Sequence, residues 1–214
     1  QNFANESIRE WINEQIEEGD LLWKEPYVEL VRGFRRGCEF QDLVDDPSIP
    51  FHPDTWRSFG REGSERGSEP YPLYKHQEES IRSVLQGYNT IIATGTGSGK
   101  TFCLMVPIVS KCLELKEQGT RGIKALIIYP MNALANSQYN EMAARLAETG
   151  LKIALYTGDT EYEEQKAREE FRDRFGRKEP YDSELISREQ IQTTPPDILM
   201  TNYQMLEFIL TRRD

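Results

Sequence analysis

Residues 93–101 read Ala93-Thr-Gly-Thr-Gly-Ser-Gly-Lys-Thr101, directly after the apolar run Thr90-Ile-Ile-Ala93 and directly before the largely apolar stretch 102–115. Glycines at 95, 97 and 99 let the backbone turn so that successive N–H groups point inward, and a helix starting at the end of the loop directs its positive end at the same spot. Such a loop cradles phosphate groups. A strand running in and a helix running out is the context that separates a phosphate loop from an ordinary glycine-rich turn. The spacing makes Thr94, Gly95, Thr96, Gly97, Ser98 and Gly99 the cradle. Lys100 is placed to reach the outer phosphates of a nucleotide, and the Thr101 hydroxyl to ligate Mg²⁺. The strict pattern G-x-x-x-x-G-K-[ST] asks for glycine at position 94, where this chain has Thr94.

Outward from the loop, helix and strand patterns alternate. A helix is predicted over 75–86, with Ile81, Val84 and Leu85 inward and Gly87 ending it, and a short apolar strand over 90–93. The helix leaving the loop runs over about 100–117 and contains Pro107, which removes a backbone donor and predicts a bend or a shifted start. Residues 123–129, Ile-Lys-Ala-Leu-Ile-Ile-Tyr, form the strongest buried-strand candidate. A helix over 136–148, closed by Gly150, and strands over 151–156 and 197–200 follow. This order predicts an α/β fold with a mostly parallel sheet built from right-handed βαβ units and covered by helices on both faces. The segment 161–192 is dense in Glu and Arg and reads as an exposed helix followed by a loop.

Upstream, 5–19 reads as an amphipathic helix with Asn5 as N-cap, Gly19 as stop, and Ile8, Trp11, Ile12 and Ile16 on one face. Residues 27–31 suggest a short strand. The cluster Arg32-Gly-Phe-Arg-Arg36 could touch a nucleic-acid backbone, although a solvated turn is the simpler reading. Gly, Ser, Arg and Glu crowd residues 57–70, a composition typical of a flexible connector. A small helical N-terminal extension over 1–70 and a nucleotide-binding lobe over 71–214 result.

The 214 residues suffice for one α/β core with an appendage. At 37% hydrophobic and 29% charged residues the composition is that of a globular protein, with no apolar run of membrane-spanning length. Cys38, Cys103 and Cys112 form no C-x-x-C pair and read as reduced thiols of a cytoplasmic protein. The net charge of −10 by itself argues against a nucleic-acid partner, yet backbone N–H groups and helix N-termini can hold a strand without a basic surface. The start at Gln1 and the end at Thr211-Arg-Arg-Asp214 suggest a piece of a longer polypeptide.

Four further stretches stand in a telling order around the loop. Pro72-Leu-Tyr-Lys-His-Gln77 precedes it, and a glutamine amide donates and accepts at once, as an adenine edge requires. Tyr129-Pro-Met-Asn-Ala-Leu-Ala-Asn-Ser-Gln138, Tyr156-Thr-Gly-Asp159 and Thr201-Asn-Tyr-Gln-Met-Leu206 each follow a predicted strand. With this set the chain resembles the N-terminal RecA-like lobe of superfamily 2 helicases of the DEAD/DEAH type. The wording resembles most the large prokaryotic repair and anti-phage-defence helicases, such as those of DISARM and Druantia systems.

The resemblance implies ATP and Mg²⁺ as cofactors, Gln77 on adenine, and catalytic roles for Lys100 and Thr101. It implies nucleic-acid contacts at Pro130, Met131, Asn132, Asn136, Gly158, Thr201 and Asn202, with DNA favoured over RNA. It also implies a second RecA-like lobe in the same polypeptide, no membrane, and defence or repair proteins as possible partners. The family's D-E-x-[DH] element, which organises Mg²⁺ and the attacking water, does not occur after Asp197. The expectation is therefore an ATP-dependent helicase as the intact protein and no turnover from residues 1–214 alone. Two alternatives stay open, a non-motor P-loop scaffold and an RNA helicase. A small-molecule kinase or GTPase would need a nucleoside-reading string such as N-K-x-D, which is absent.

Overall fold

The computed structural model describes residues 6–17, 33–59 and 72–211, and the chain divides into two compact units, 1–33 and 34–214. In the first unit, helix α1 (Glu6–Glu17) forms as the spacing predicts, with Ile8, Trp11 and Ile16 exposed and no residue buried. Its expected cap Asn5 and stop Gly19, and the expected strand at 27–31, lie outside the described residues.

The second unit opens with strand β1 (Arg36–Glu39) and helices α2 (Phe40–Val44) and α3 (Thr55–Phe59). Strand β2 (Pro72–Tyr74) pairs antiparallel with β1, Arg36 opposite Tyr74 and Glu39 opposite Pro72. Phe40, Leu43, Trp56 and Phe59 belong to the main core, together with Leu73 and Ile81. Each such burial contributes roughly 2 kcal/mol. Residues 34–59 are thus packed into the lobe, and residues 57–59, expected in a connector, end a buried helical turn.

Helix α4 (Lys75–Leu85) and helix α5 (Lys100–Glu117) flank the phosphate loop. Helix α5 runs through Pro107 without interruption and starts directly after the loop, so the proline neither ends it nor shifts its start. Strands β3 (Ala125–Tyr129), β4 (Ile153–Tyr156), β5 (Glu184–Leu185) and β6 (Ile198–Asn202) form one parallel sheet in the order β3-β6-β4-β5. Helix α6 (Asn132–Leu146) connects β3 to β4, starting earlier than predicted, and α9 (Tyr203–Thr211) follows β6. This is the α/β RecA-like architecture. Alternation along the strands divides the core in two: Ile153, Leu155, Ile198 and Met200 face the main cluster, whereas Ala154, Leu185 and Leu199 pack with Ile191 on the other face.

Two strand predictions need correction. Residues 90–93 form no strand, and Ile91 is 95% exposed. An apolar run becomes a strand only when a neighbour completes its hydrogen-bond ladder, and no strand of the described residues lies against it. Strand β3, predicted to be buried, is among the described residues an edge strand that pairs only with β6, and Leu126 and Ile128 on its second face stay about half exposed.

The charge-dense segment after β4 contains helix α7 (Glu164–Phe175), then β5 and helix α8 (Arg188–Thr193) where a loop was expected. It is held down by Glu184, whose buried carboxylate accepts from Arg177 Nη1 and Nη2 at 2.8 and 2.9 Å and from the Tyr181 N–H at 2.7 Å. Arg177 Nη2 also donates to Asn140 Oδ1 of α6 at 3.0 Å. Helix α8 is capped reciprocally by Ser187 and Gln190.

At the entry edge of the sheet, Asp197 accepts from Lys124 Nζ at 2.7 Å, from the Lys152 N–H at 2.7 Å and from Lys116 Nζ at 3.2 Å. Burial alone would push this carboxyl up; the bonds from Lys124, Lys152 and Lys116 outweigh it and hold the carboxyl below the usual carboxylate range. With its folded-state pKa lowered, Asp197 stabilises the fold above roughly pH 4, and that contribution is lost as the pH falls through the lowered value. Lys124 is itself 3% exposed, so Asp197→Ala strands a buried ammonium. The variant is expected to lose about 3 kcal/mol of stability at pH 7 and to flatten the rise in stability with pH in the acid range below about pH 5, both measurable by urea denaturation.

Candidate nucleotide and nucleic-acid site

The phosphate loop takes the conformation its glycines allow. Gly97 and Gly99 sit at φ +72° and +70°, in the left-handed region that side chains avoid. Gly99 is the residue just before α5, and its carbonyl accepts from the Phe102 N–H at 3.1 Å. Ser98 is buried, and its hydroxyl shares a 2.6 Å hydrogen bond with that of Thr94. The Lys100 ammonium donates to the carbonyls of Thr94 and Gly95 at 2.8 and 2.7 Å. It thus lies across the loop, on bonds that an incoming phosphate oxygen would replace.

Helix α4 holds the loop from behind. Gln77, expected to read adenine, is buried and spends both ends of its amide internally: Nε2 donates to the Gly99 carbonyl at 3.0 Å, and Oε1 accepts from the Tyr74 N–H at 2.9 Å. His76, not singled out from the sequence, donates from Nε2 to the Ser98 carbonyl at 2.9 Å. His76 also stacks on Tyr74, with ring centroids 5.7 Å apart, and Phe34 closes on both rings at 5.2 and 5.4 Å. Phe34 of the basic cluster therefore joins an aromatic group beside the loop.

The remaining predicted residues come together because the strands are parallel and end on one edge of the sheet, where α/β folds bind ligands. Pro130 and Met131 lie exposed in the turn after β3, and Asn132 opens α6. Four residues on, Asn136 accepts from Arg174 Nη2 at 3.4 Å. Gly158 is exposed in the turn after β4, with open space where a side chain would begin. Gln138 of α6, also not singled out individually, accepts from the Thr101 hydroxyl at 3.2 Å, joining the start of α5 to the start of α6.

Thr201 and Asn202, expected as strand contacts, have partners within the lobe. Thr201 is fully buried and its hydroxyl donates to the Tyr156 carbonyl at 2.6 Å, stitching β6 to β4. Asn202 is 8% exposed and its Oδ1 accepts from the Met205 N–H at 2.6 Å, capping α9. Both polar groups thus have partners within the fold. The motif's polar residues at this position are explained by local structure.

This geometry fits a nucleoside triphosphate. The helix start and the glycine turns supply N–H groups for phosphate oxygens, Lys100 a mobile cation and Thr101 a hydroxyl in the first turn of α5. Among the described residues no group of three or more His, Cys, Asp or Glu side chains could hold a metal ion by itself. Mg²⁺ would accordingly be held by Thr101 with phosphate oxygens and water, the usual manner of that ion.

The sequence pattern of the DEAD/DEAH box helicase family matches residues 74–213, which spans the loop, the sheet and all three contact elements. The chain belongs to this family. Among its relatives is the Druantia protein DruE of Escherichia coli (strain UMEA 4076-1), 25% identical, over 92% of this chain and 15% of that protein. The ATP-dependent DNA helicase Hel308 of Pyrococcus abyssi (strain GE5 / Orsay) is 41% identical over 96 residues, 44% of this chain and 12% of that one. The solved structure of the DUF1998 helicase MrfA bound to DNA and AMPPNP covers 91% of this chain and 22% of its own, at 23% identity and a TM-score of 0.49. The chain thus spans less than a quarter of the length of each of these proteins.

At Gly99 the loop lies close against α4: a Cβ there would come within 2.5 Å of Gln77 Nε2. Gly99→Ala is expected to cost about 2 kcal/mol, from the left-handed backbone together with the displaced amide. In a Gln77→Ala background it should cost at least about 0.5 kcal/mol less. Denaturation of the four proteins of this double-mutant cycle measures the coupling; strict additivity would remove the direct contact from the explanation.

Proposed function

We propose that this chain is the ATP-binding lobe of an ATP-dependent DNA helicase or translocase that works in defence or repair. The observation that carries the reading is the Thr101–Gln138 hydrogen bond. It connects the first turn of the phosphate-binding helix to the helix whose N-terminal turns, at Asn132 and Asn136, face the strand-contact edge. Nucleotide and nucleic-acid elements are therefore one hydrogen bond apart, as an ATP-driven motor requires.

Within the lobe, Lys100 moves from the loop carbonyls to the phosphates and neutralises charge that builds on them during transfer to water, the dominant source of acceleration in such reactions. Thr101, its hydroxyl donating to Gln138 Oε1, would offer an oxygen lone pair to Mg²⁺. Gln77 and His76 fix the two carbonyls at the end of the loop, so the cradle is organised in advance. The aromatic group of Phe34, Tyr74 and His76 offers the base a stacking surface. The turns after β3 and β4 contact the strand backbone through Pro130, Met131, Asn132, Asn136 and Gly158. The water-positioning acidic pair and an arginine finger come from a downstream strand and a second RecA-like lobe of the same polypeptide. Residues 1–214 alone accordingly turn over no ATP.

DNA is favoured because the relative Hel308 is an ATP-dependent DNA helicase, and the defence assignment follows the DruE likeness along most of the chain. The test uses the complete protein, with ATP turnover measured alone and with single-stranded DNA, duplex DNA and RNA of matched sequence. DNA should stimulate turnover more than RNA does, and Lys100→Ala should reduce the stimulated rate at least about a hundredfold. A Lys100→Ala protein with undiminished turnover would refute the motor assignment, and equal stimulation by RNA would refute the preference for DNA.

A further inference from the structure

The segment between β4 and β6 contributes two arginines to the turn at 157–160. Arg174, in the last turn of α7, donates to the Asp159 carbonyl at 2.8 Å, to Thr157 Oγ1 at 3.2 Å and to Asn136 Oδ1 at 3.4 Å. Arg188, the first residue of α8, donates to the carbonyls of Thr160 at 2.7 Å, Gly158 at 3.1 Å and Thr157 at 3.3 Å. Every carbonyl from 157 to 160 therefore points at a guanidinium.

Two physical consequences follow. Carbonyl oxygens repel a phosphate, and binding them to guanidinium groups turns that negative edge away while placing two positive charges behind the turn. Gly158 at the tip stays exposed, with nothing within 4 Å of its missing Cβ, so a strand backbone can approach closely. Arg174 adds a second effect. By reaching Asn136 and Thr157 with the same nitrogen it sets the spacing between the strand-contact helix α6 and the turn after β4.

We infer that Arg174 and Arg188 are positioning residues for the nucleic-acid strand, through which the α7–α8 segment controls how tightly the lobe grips it. The inference rests on the proposed strand contacts at Asn136 and Gly158. Neither arginine touches the phosphate loop, so nucleotide binding should be independent of both.

The experiment uses the complete protein and measures single-stranded DNA affinity by fluorescence anisotropy, affinity for a fluorescent ATP analogue without DNA, and the thermal midpoint. Arg174→Gln and Arg188→Gln are each expected to weaken DNA binding about tenfold while leaving analogue affinity unchanged. Arg174→Lys keeps the charge but has one nitrogen in place of a fork that reaches three acceptors, so it should fail to restore affinity. If Arg174→Gln does not fold, Arg188→Gln carries the test, since it releases the same turn from its other side. Full affinity in the folded glutamine variants, or full rescue by lysine, overturns the positioning role while the motor reading stands. A wild-type protein that binds the ATP analogue but neither DNA nor RNA overturns the motor reading and this inference with it.

Discussion

One carboxylate sets the geometry on which the site depends. Asp197 immediately precedes β6, the strand between β3 and β4, and takes hydrogen bonds from Lys124 ahead of β3, the Lys152 N–H ahead of β4 and Lys116 in the last turn of α5. Three segments and one helix are thereby fixed at the entry side of the sheet. The tie to α5 is the consequential one. Residues 90–93, which lead into the phosphate loop, are not part of the sheet, so α5 is oriented by its packing in the core and by this anchor rather than by a neighbouring strand. A rigid helix fixed at its C-terminal end delivers its N-terminal end, with Lys100 and Thr101, to a defined place.

At that other end the parallel arrangement does the rest. Parallel strands point the same way, so the turns after β3, β4 and β6 share one edge, in register as Tyr129 opposite Asn202 and Tyr156 opposite Thr201. The hydroxyl of Thr101 meets Gln138 there, and Thr201 ties Tyr156 across the sheet. The phosphate cradle and the strand-contact turns are neighbours because of topology, with only short side chains needed to join them.

How much of this could be read from the residues depends on whether the relevant information was local. The glycine loop, the helix after it, the parallel order and the family were legible, since glycine spacing and the alternation of elements are local signals. At 90–93 the apolar composition suggests a strand but carries no information about whether a ladder partner exists, and none does among the described residues. The same gap hid the edge position of β3. The β1–β2 pair joins residues more than thirty positions apart, beyond any periodicity. Short polar residues such as Thr201 and Asn202 after a strand suit a ligand and local structure equally well; in the fold Thr201 ties β6 to β4 and Asn202 caps α9. The box of Ser187 and Gln190 was a legible helix start that the surrounding charge density obscured.

That charge density deserves a different physical reading from the usual solvated face. Most of the Glu and Arg side chains of α7 do lie in solvent, paired along the helix as Arg168 is with Glu164. Arg174, Arg177 and Arg188 do not follow that pattern. Arg177 satisfies a fully buried carboxylate and docks the segment on α6; with docking fixed, Arg174 and Arg188 can spend their forked donors on backbone carbonyls, which lysine could not serve in the same number. Arginine in a charged run is thus distinguished from its neighbours only by where the chain folds back. A segment that composition alone marks as surface becomes the frame behind the turn at 157–160, and its sequence can vary widely on the solvent side so long as those three guanidinium groups keep their places.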